Sequence, residues 1–197
     1  MTGKTHLSMG ALFGVGYATL HTDGNQDWLT LSIGIAVATL SSMLPDLDHK
    51  GSYISKYLTL NLKTRYRSIF ASLIGILLIA ACFYYKGPLW IALTGLYVVI
   101  AAYVPHRSFT HSLMGVGLVG MISFLAVPNQ VYFGYFMAGY LSHLFADALT
   151  VSGIPLFWPN KTGFRLARIK TNTRWDIIIR YVSGIFTVIG LGYLVLH

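Results

Sequence analysis

The chain alternates long apolar runs with short polar breaks. The runs cover residues 7–20, 28–44, 69–85, 89–104, 112–127, 131–150 and 177–196. Between them stand Asp23-Gly24, Lys86-Gly87-Pro88 and Pro128-Asn129, residue types that end helices and start turns. A membrane-crossing helix needs about 20 apolar residues, with a range of about 17–25. Several runs fall short of that, and the first, the weakest, is compatible with a re-entrant segment. Its Lys4 and apolar stretch also have the look of a signal peptide, but no small-x-small cleavage site follows. The pattern predicts an all-α fold, a polytopic membrane helical bundle of about seven spans. No stretch is long or polar enough to form a second domain, so residues 1–197 are expected to form one.

Composition agrees. Hydrophobic residues make up 55% of the chain and charged ones 10%, against about 25% charged in soluble domains. All six acids are Asp, with no Glu, which excludes mechanisms needing a glutamate base, the HExxH arrangement included. The lone Cys82 can form no intrachain disulfide. A formal charge of +8 in a soluble protein would point to nucleic acid. Here the basic residues flank apolar runs, so nucleic acid is not expected and anionic phospholipid headgroups are the natural partners. Seven spans would put Lys4, Lys50, Lys56, Lys63, Arg65, Arg67, Arg107, Lys161, Arg165, Arg168, Lys170, Arg174 and Arg180 on one side and Lys86 alone on the other. Cytoplasmic loops carry the excess of Lys and Arg. The N-terminus is therefore expected in the cytoplasm.

On that topology His6, Asp46, Asp48, His49, His106, His111, His143 and Asp147 all fall at cytoplasmic helix ends. Each group alone has a plainer explanation. Pro45-Asp46-Leu47-Asp48-His49 reads as a turn with capping aspartates. His143 and Asp147, spaced i, i+4, share a helix face and could simply be hydrogen-bonded. Ionisable residues inside spans are costly, however, and usually functional. Their convergence from separate segments on one face points to a divalent-metal site. Imidazole with carboxylate suits zinc first, with manganese or iron as alternatives. Two carboxylates and several imidazoles can hold one ion, or two about 3.5–4 Å apart as in phosphoester hydrolysis. Activation of water by the metal then removes the need for a glutamate.

Thr5-His6-Leu7-Ser8-Met9-Gly10 resembles Thr110-His111-Ser112-Leu113-Met114-Gly115 at an offset of 105 residues. Each opens a glycine-rich run, and the run after it returns with aspartates. This predicts a parallel repeat of two hairpins. Gly10 and Gly14 form a GxxxG that permits close helix approach. Arg107, beside His106, reads either as a phosphate clamp or as a topology marker. Residues 153–159 are apolar but Pro-broken and read as a loop at headgroup level, with Trp158 suited to the interface.

Thr5-His6 with Gly10, Leu44-Pro45-Asp46-Leu47-Asp48-His49, His106-Arg107-Ser108-Phe109-Thr110-His111-Ser112, and His143 with Asp147, Thr150 and Gly153-Ile154-Pro155-Leu156 together resemble the bacterial membrane-bound metal-dependent hydrolase family. Some of these inner-membrane proteins are under LexA control. A fainter similarity is to zinc-dependent phospholipase C, whose usual glutamate ligand has no counterpart here. The resemblance implies a multi-pass protein of the bacterial inner membrane and a metal-dependent hydrolase. The expected substrate is a membrane lipid, a phospholipid or lipid-linked phosphoester. Expected metal ligands are His6, Asp46, Asp48, His49, His111, His143 and Asp147. His106, Arg107 and Asp48 are the expected catalytic residues, His106 as ligand or leaving-group acid and Arg107 on the phosphate. The rival readings are a divalent metal-ion transporter and a non-catalytic membrane protein with a structural metal.

Overall fold

The computed structural model describes residues 1–21, 27–48, 64–105, 107–160 and 162–196, with the side chains of 47, 48, 64, 65 and 67 excepted. Seven α-helices are present among them: α1 Gly3–His21, α2 Trp28–Ser41, α3 Thr64–Tyr84, α4 Leu89–Tyr103, α5 Leu113–Ala126, α6 Gln130–Ala148 and α7 Arg174–Leu196. Short 3-10 turns cover Leu44–Asp48 and Phe109–His111. Two isolated β-bridges, Thr150 with Ile169 and Ile154 with Phe164, occur in the segment before α7. The fold is all-helical, and each helix falls on one apolar run of the sequence.

The breaks between runs act as caps. Asp27 accepts a hydrogen bond from the Thr30 amide at 2.5 Å, closing the first turn of α2. That backbone donor holds the exposed Asp27 carboxyl below the usual carboxylate range. Ser112 and Asn129 cap α5 and α6 in the same way, through Gly115 N and Val131 N.

Length separates the helices into classes. Trp28–Asp46 and Arg174–Leu196 are long and apolar enough to cross a membrane, while Ser68–Tyr84, Leu89–Tyr103 and Leu113–Ala126 are apolar but shorter. The other two, α1 and α6, have 19 residues each, but they carry His6, His143 and Asp147, which dilute their apolar character. Burial is inverted relative to a soluble domain. Large apolar side chains such as Leu29, Leu77, Phe83, Tyr181, Phe186 and Val188 are exposed, while Thr5, His6, Ser42, His111, Ser142, His143 and Asp147 are buried. That distribution suits a chain solvated by hydrocarbon, where polar groups must be satisfied inside.

The helices pack as two compact units. The first comprises Met1–Pro45, Asn129–Ile154 and Gly163–His197, with α1 packed on α2, α6 and α7, and α2 on α6. Small residues set these crossings. A Cβ at Gly139 of α6 would lie 1.9 Å from the Ala38 carbonyl oxygen of α2, and one at Gly14 of α1 would lie 2.7 Å from Ala38 Cβ. A Cβ at Gly10 would meet Ser42 Oγ at 2.6 Å. The expected GxxxG thus works against α2, with Ala38 as the point both neighbours approach. The second unit comprises Asp46–Pro128 and Pro155–Thr162. In it α3 packs on α4 through Gly75 and Gly95, each backed against the other's carbonyl oxygen, and α5 packs on α4.

The two matching hexapeptides adopt different local structures. Thr5-His6 lies inside the first turns of α1, whereas Thr110-His111 sits in a 3-10 turn before the Ser112 cap. Helices α1 and α2 also share one unit, whereas α5 and α6 belong to different ones. The sequence likeness therefore does not extend to local backbone structure.

Gly139→Ala is expected to lower thermal stability in detergent by about 1–3 kcal/mol, since backbone must move to admit the methyl group. Gly16→Ala, on α1 with nothing within 4 Å of the new carbon, is the control and should hold or slightly raise stability. Equal melting temperatures for the two variants would contradict the crossing.

Candidate metal centre

Helices α1 and α6 bring three of the expected ligands together inside the first unit. His6, His143 and Asp147 are each 0% exposed. The imidazoles of His6 and His143 stack with centroids 3.8 Å apart and planes 14° from parallel. His6 Nε2 lies 3.3 Å from Asp147 Oδ1, and His143 Nε2 lies 3.8 Å from Asp147 Oδ2. The second separation is beyond hydrogen-bonding reach, so the i, i+4 pair is not the simple hydrogen bond its spacing allows.

These separations have a second meaning. Zinc bonds to nitrogen and oxygen of about 2.0–2.1 Å, arranged tetrahedrally, put neighbouring ligand atoms about 3.3 Å apart. The ring of His6 supports the same view. Neither of its nitrogens has a hydrogen-bond partner among the described residues, although buried polar atoms are nearly always paired. A ligand position explains such an imidazole. His143 is oriented by α2: its Nδ1 lies 2.7 Å from the Ser42 carbonyl oxygen. A carbonyl only accepts, so Nδ1 donates and, in the neutral ring, Nε2 presents its lone pair as the ligand atom.

Asp147 also meets a full positive charge. The Met1 ammonium group lies 2.5 Å from Oδ1, both groups wholly buried. A buried carboxylate is tolerated where such a partner stands beside it.

A second acid fixes the start of α1. Asp176, buried in the first turn of α7, accepts from Thr5 Oγ1 at 2.6 Å, from Asn172 N at 2.7 Å and from Thr2 N at 3.3 Å. Thr5 precedes His6, so this clamp sets the helix turn that presents the imidazole. Sequence reasoning missed it. Its one visible signal is that Asp176 is the only acid in the last apolar helix. The roles of the Ser42 carbonyl and of the Met1 amino group leave no trace in residue type at all.

The second unit carries a pair of its own. His111 Nε2 lies 3.6 Å from Asp46 Oδ1, with His111 wholly buried and Asp46 partly so. His111 Nδ1 is 2.8 Å from Thr110 Oγ1. Arg107 is half-buried and holds a left-handed backbone, φ 58°, a conformation seldom kept by a long side chain without a reason. Of the remaining expected site residues, His49 and His106 lie outside the described residues, and Asp48 is described in backbone only. Asp46, His111, His143 and Asp147 are each able to supply one metal-ligand atom.

Fold and site together define a helical protein with an apolar exterior and buried His/carboxylate groups able to hold a divalent metal. A family model described as YdjM inner membrane protein matches residues 1–196, and the chain belongs to that family of bacterial inner-membrane proteins. Its relatives include Inner membrane protein YdjM of Escherichia coli (strain K12). That protein is 30% identical over 149 residues, which cover 71% of this chain and 55% of the relative. The Shigella flexneri protein of the same name matches to the same extent. Uncharacterized protein YvsG of Bacillus subtilis (strain 168) is 37% identical over 68 residues, 34% of this chain and 42% of the relative. The chain spans about half the length of the curated relatives it matches. No solved structure matches.

Thr5→Val removes one donor from the buried Asp176 carboxylate. The expected cost is about 1.5–3 kcal/mol, the range for hydrogen bonds to charged groups, read as a lower melting temperature in detergent. An unchanged melting temperature would contradict the clamp.

Proposed function

We propose that the chain is a membrane-embedded, metal-dependent hydrolase that acts at the cytoplasmic face on a phospholipid or lipid-linked phosphoester. The observation that carries this reading is the group of His6, His143 and Asp147. Two stacked imidazoles stand at 3.3 and 3.8 Å from the two oxygens of one buried carboxylate, in a family of inner-membrane proteins. His6, His143 and Asp147 would be the ligands; Asp46, Asp48, His49 and His111 remain candidates from sequence. Zinc is the preferred ion, with manganese or iron as alternatives, and the number is one or two. A bound ion would supply Lewis acidity and water activation, a supply that matters in a chain without glutamate.

The chain's own residues account for the rest. The Ser42 carbonyl holds the His143 tautomer. Asp176 holds Thr5 and with it the first turn of α1. Arg107, in its left-handed backbone, would present a guanidinium to a substrate phosphate. His106, next to it, would give a proton to the leaving group. The basic excess on one side of the seven-run pattern supports a site at the cytoplasmic face.

The test is hydrolysis of a panel of labelled phospholipids by detergent-purified protein. Release of a headgroup or diglyceride is expected from the wild type. Chelation, His143→Ala and Asp147→Asn should each abolish it while helicity is retained, and both variants should melt earlier than wild type because each removes a member of a buried polar group. Arg107→Ala should raise KM more than it lowers kcat. Metal-loaded wild type that hydrolyses nothing on the panel would contradict the hydrolase reading. Asp147→Asn protein that fails to fold would favour a structural metal instead.

A further inference from the structure

Between Asp147 and Asp176 the chain carries Lys161, Arg165, Arg168, Lys170 and Arg174 and no acid. Lys161 lies outside the described residues. The others do not hang from a loose loop. Residues 163–170, which bend at Leu166, are bonded to the backbone that follows α6. Phe164 exchanges both hydrogen bonds with Ile154, at 2.7 and 3.0 Å. Leu166 N donates to Ala148 O at 2.8 Å, and Ile169 is bonded to Leu149 and Val151 at 3.0 and 3.1 Å. Gly153 makes this closure feasible. Its φ is +63°, and a Cβ there would fall 2.3 Å from Arg165 Cγ and 2.5 Å from the Phe164 oxygen.

The outer side of this ridge is both basic and apolar. Arg165, Arg168 and Lys170 are exposed, and so are Phe164, Leu166 and Trp175. Gly163, Arg165, Leu166, Ala167 and Arg168 line a shallow cleft of about 350 Å³. Arg165 spends one donor on the Val151 carbonyl at 3.2 Å. Among the described residues, no carboxylate pairs with Arg165, Arg168 or Lys170. The two flanking acids are buried and engaged elsewhere, Asp147 with Met1 and Asp176 with Thr5. An array of cations without counter-charge, beside apolar side chains, in a membrane protein, is complementary to one kind of surface. Phosphate accepts the guanidinium donors, and acyl chains accept the apolar flank.

We propose that this ridge is a docking site for the headgroup of an anionic phospholipid. It deepens the hydrolase reading by naming the charge of the lipid, and it rests on that reading only in making the docked lipid a substrate. Position supports the link. Leu166 is hydrogen-bonded to Ala148, the residue after Asp147, so a headgroup on the ridge waits beside the metal-ligand helix. A purely topological role for these cations would need no rigid ridge and no preference among lipids.

Binding is tested without turnover. Detergent-purified full-length protein is mixed with equal amounts of phosphatidylglycerol and phosphatidylcholine, and retained lipid is read by native mass spectrometry. Metal content is measured on the same samples. The wild type should retain phosphatidylglycerol selectively. Arg165→Ala/Arg168→Ala should weaken that retention about 30-fold, from about 1 kcal/mol per basic residue near a headgroup, with metal content unchanged. Arg168→Glu, which spares the Arg165–Val151 bond, should do the same if the double variant folds poorly. Inorganic phosphate at millimolar concentration should not displace the lipid. Equal retention of the two lipids by wild type, or selectivity surviving both variants, would overturn the proposal. So would displacement by inorganic phosphate, which would assign the ridge to a soluble anion. Selective lipid binding by protein that holds no metal would support the ridge while removing the hydrolase reading.

Discussion

A carboxylate with no exposure is the constraint on which the first unit depends. Removing Asp147 from water costs several kcal/mol unless opposite charge or strong donors surround it. The Met1 amino group stands 2.5 Å from it, and the His6 and His143 imidazoles, at 3.3 and 3.8 Å, line the same pocket. To deliver them, the start of α1 must lie against the end of α6. The Asp176 clamp on Thr5 and the glycine crossings at Ala38 hold those two ends in place. Helix approach, capping and burial in this unit thus serve one group of polar side chains.

The sequence showed the helices plainly because a single signal, apolar run against polar break, governs both membrane insertion and helix length. Every run became a helix, and the breaks at Asp27, Ser112 and Asn129 became caps. The span count was less legible, because α1 and α6 trade apolar residues for the polar groups they bury, and α4 and α5 are short. The hexapeptide likeness around His6 and His111 predicted matched hairpins. At the hexapeptides themselves the local structure differs: Ser112 caps α5 after His111, whereas His6 stands within α1.

Site residues were legible by type and not by environment. Spacing put His143 and Asp147 on one helix face, and the shared helix ends grouped them with His6. The stacking of His6 on His143 and the tautomer-fixing Ser42 carbonyl were invisible, because any residue can offer a carbonyl and ring contacts across helices depend on crossing geometry. Asp176 was passed over for a related reason. Taken alone it looks like an acid near a helix start, a common and unremarked position; its importance lies in burial against Thr5.

A bound metal is what would turn the His6, His143 and Asp147 group from a buried network into a site. Elemental analysis of detergent-purified wild type, joined to X-ray absorption at the edge of the bound metal, measures both its presence and its ligands. About one or two equivalents per chain are expected, in a nitrogen and oxygen shell that includes imidazole at about 2.0–2.1 Å. Loss of that signal in His6→Ala and His143→Ala would complete the assignment. Wild type that holds no metal after reconstitution with zinc, manganese or iron would contradict it. His6, His143 and Asp147 would then be a buried network compensated by the Met1 ammonium.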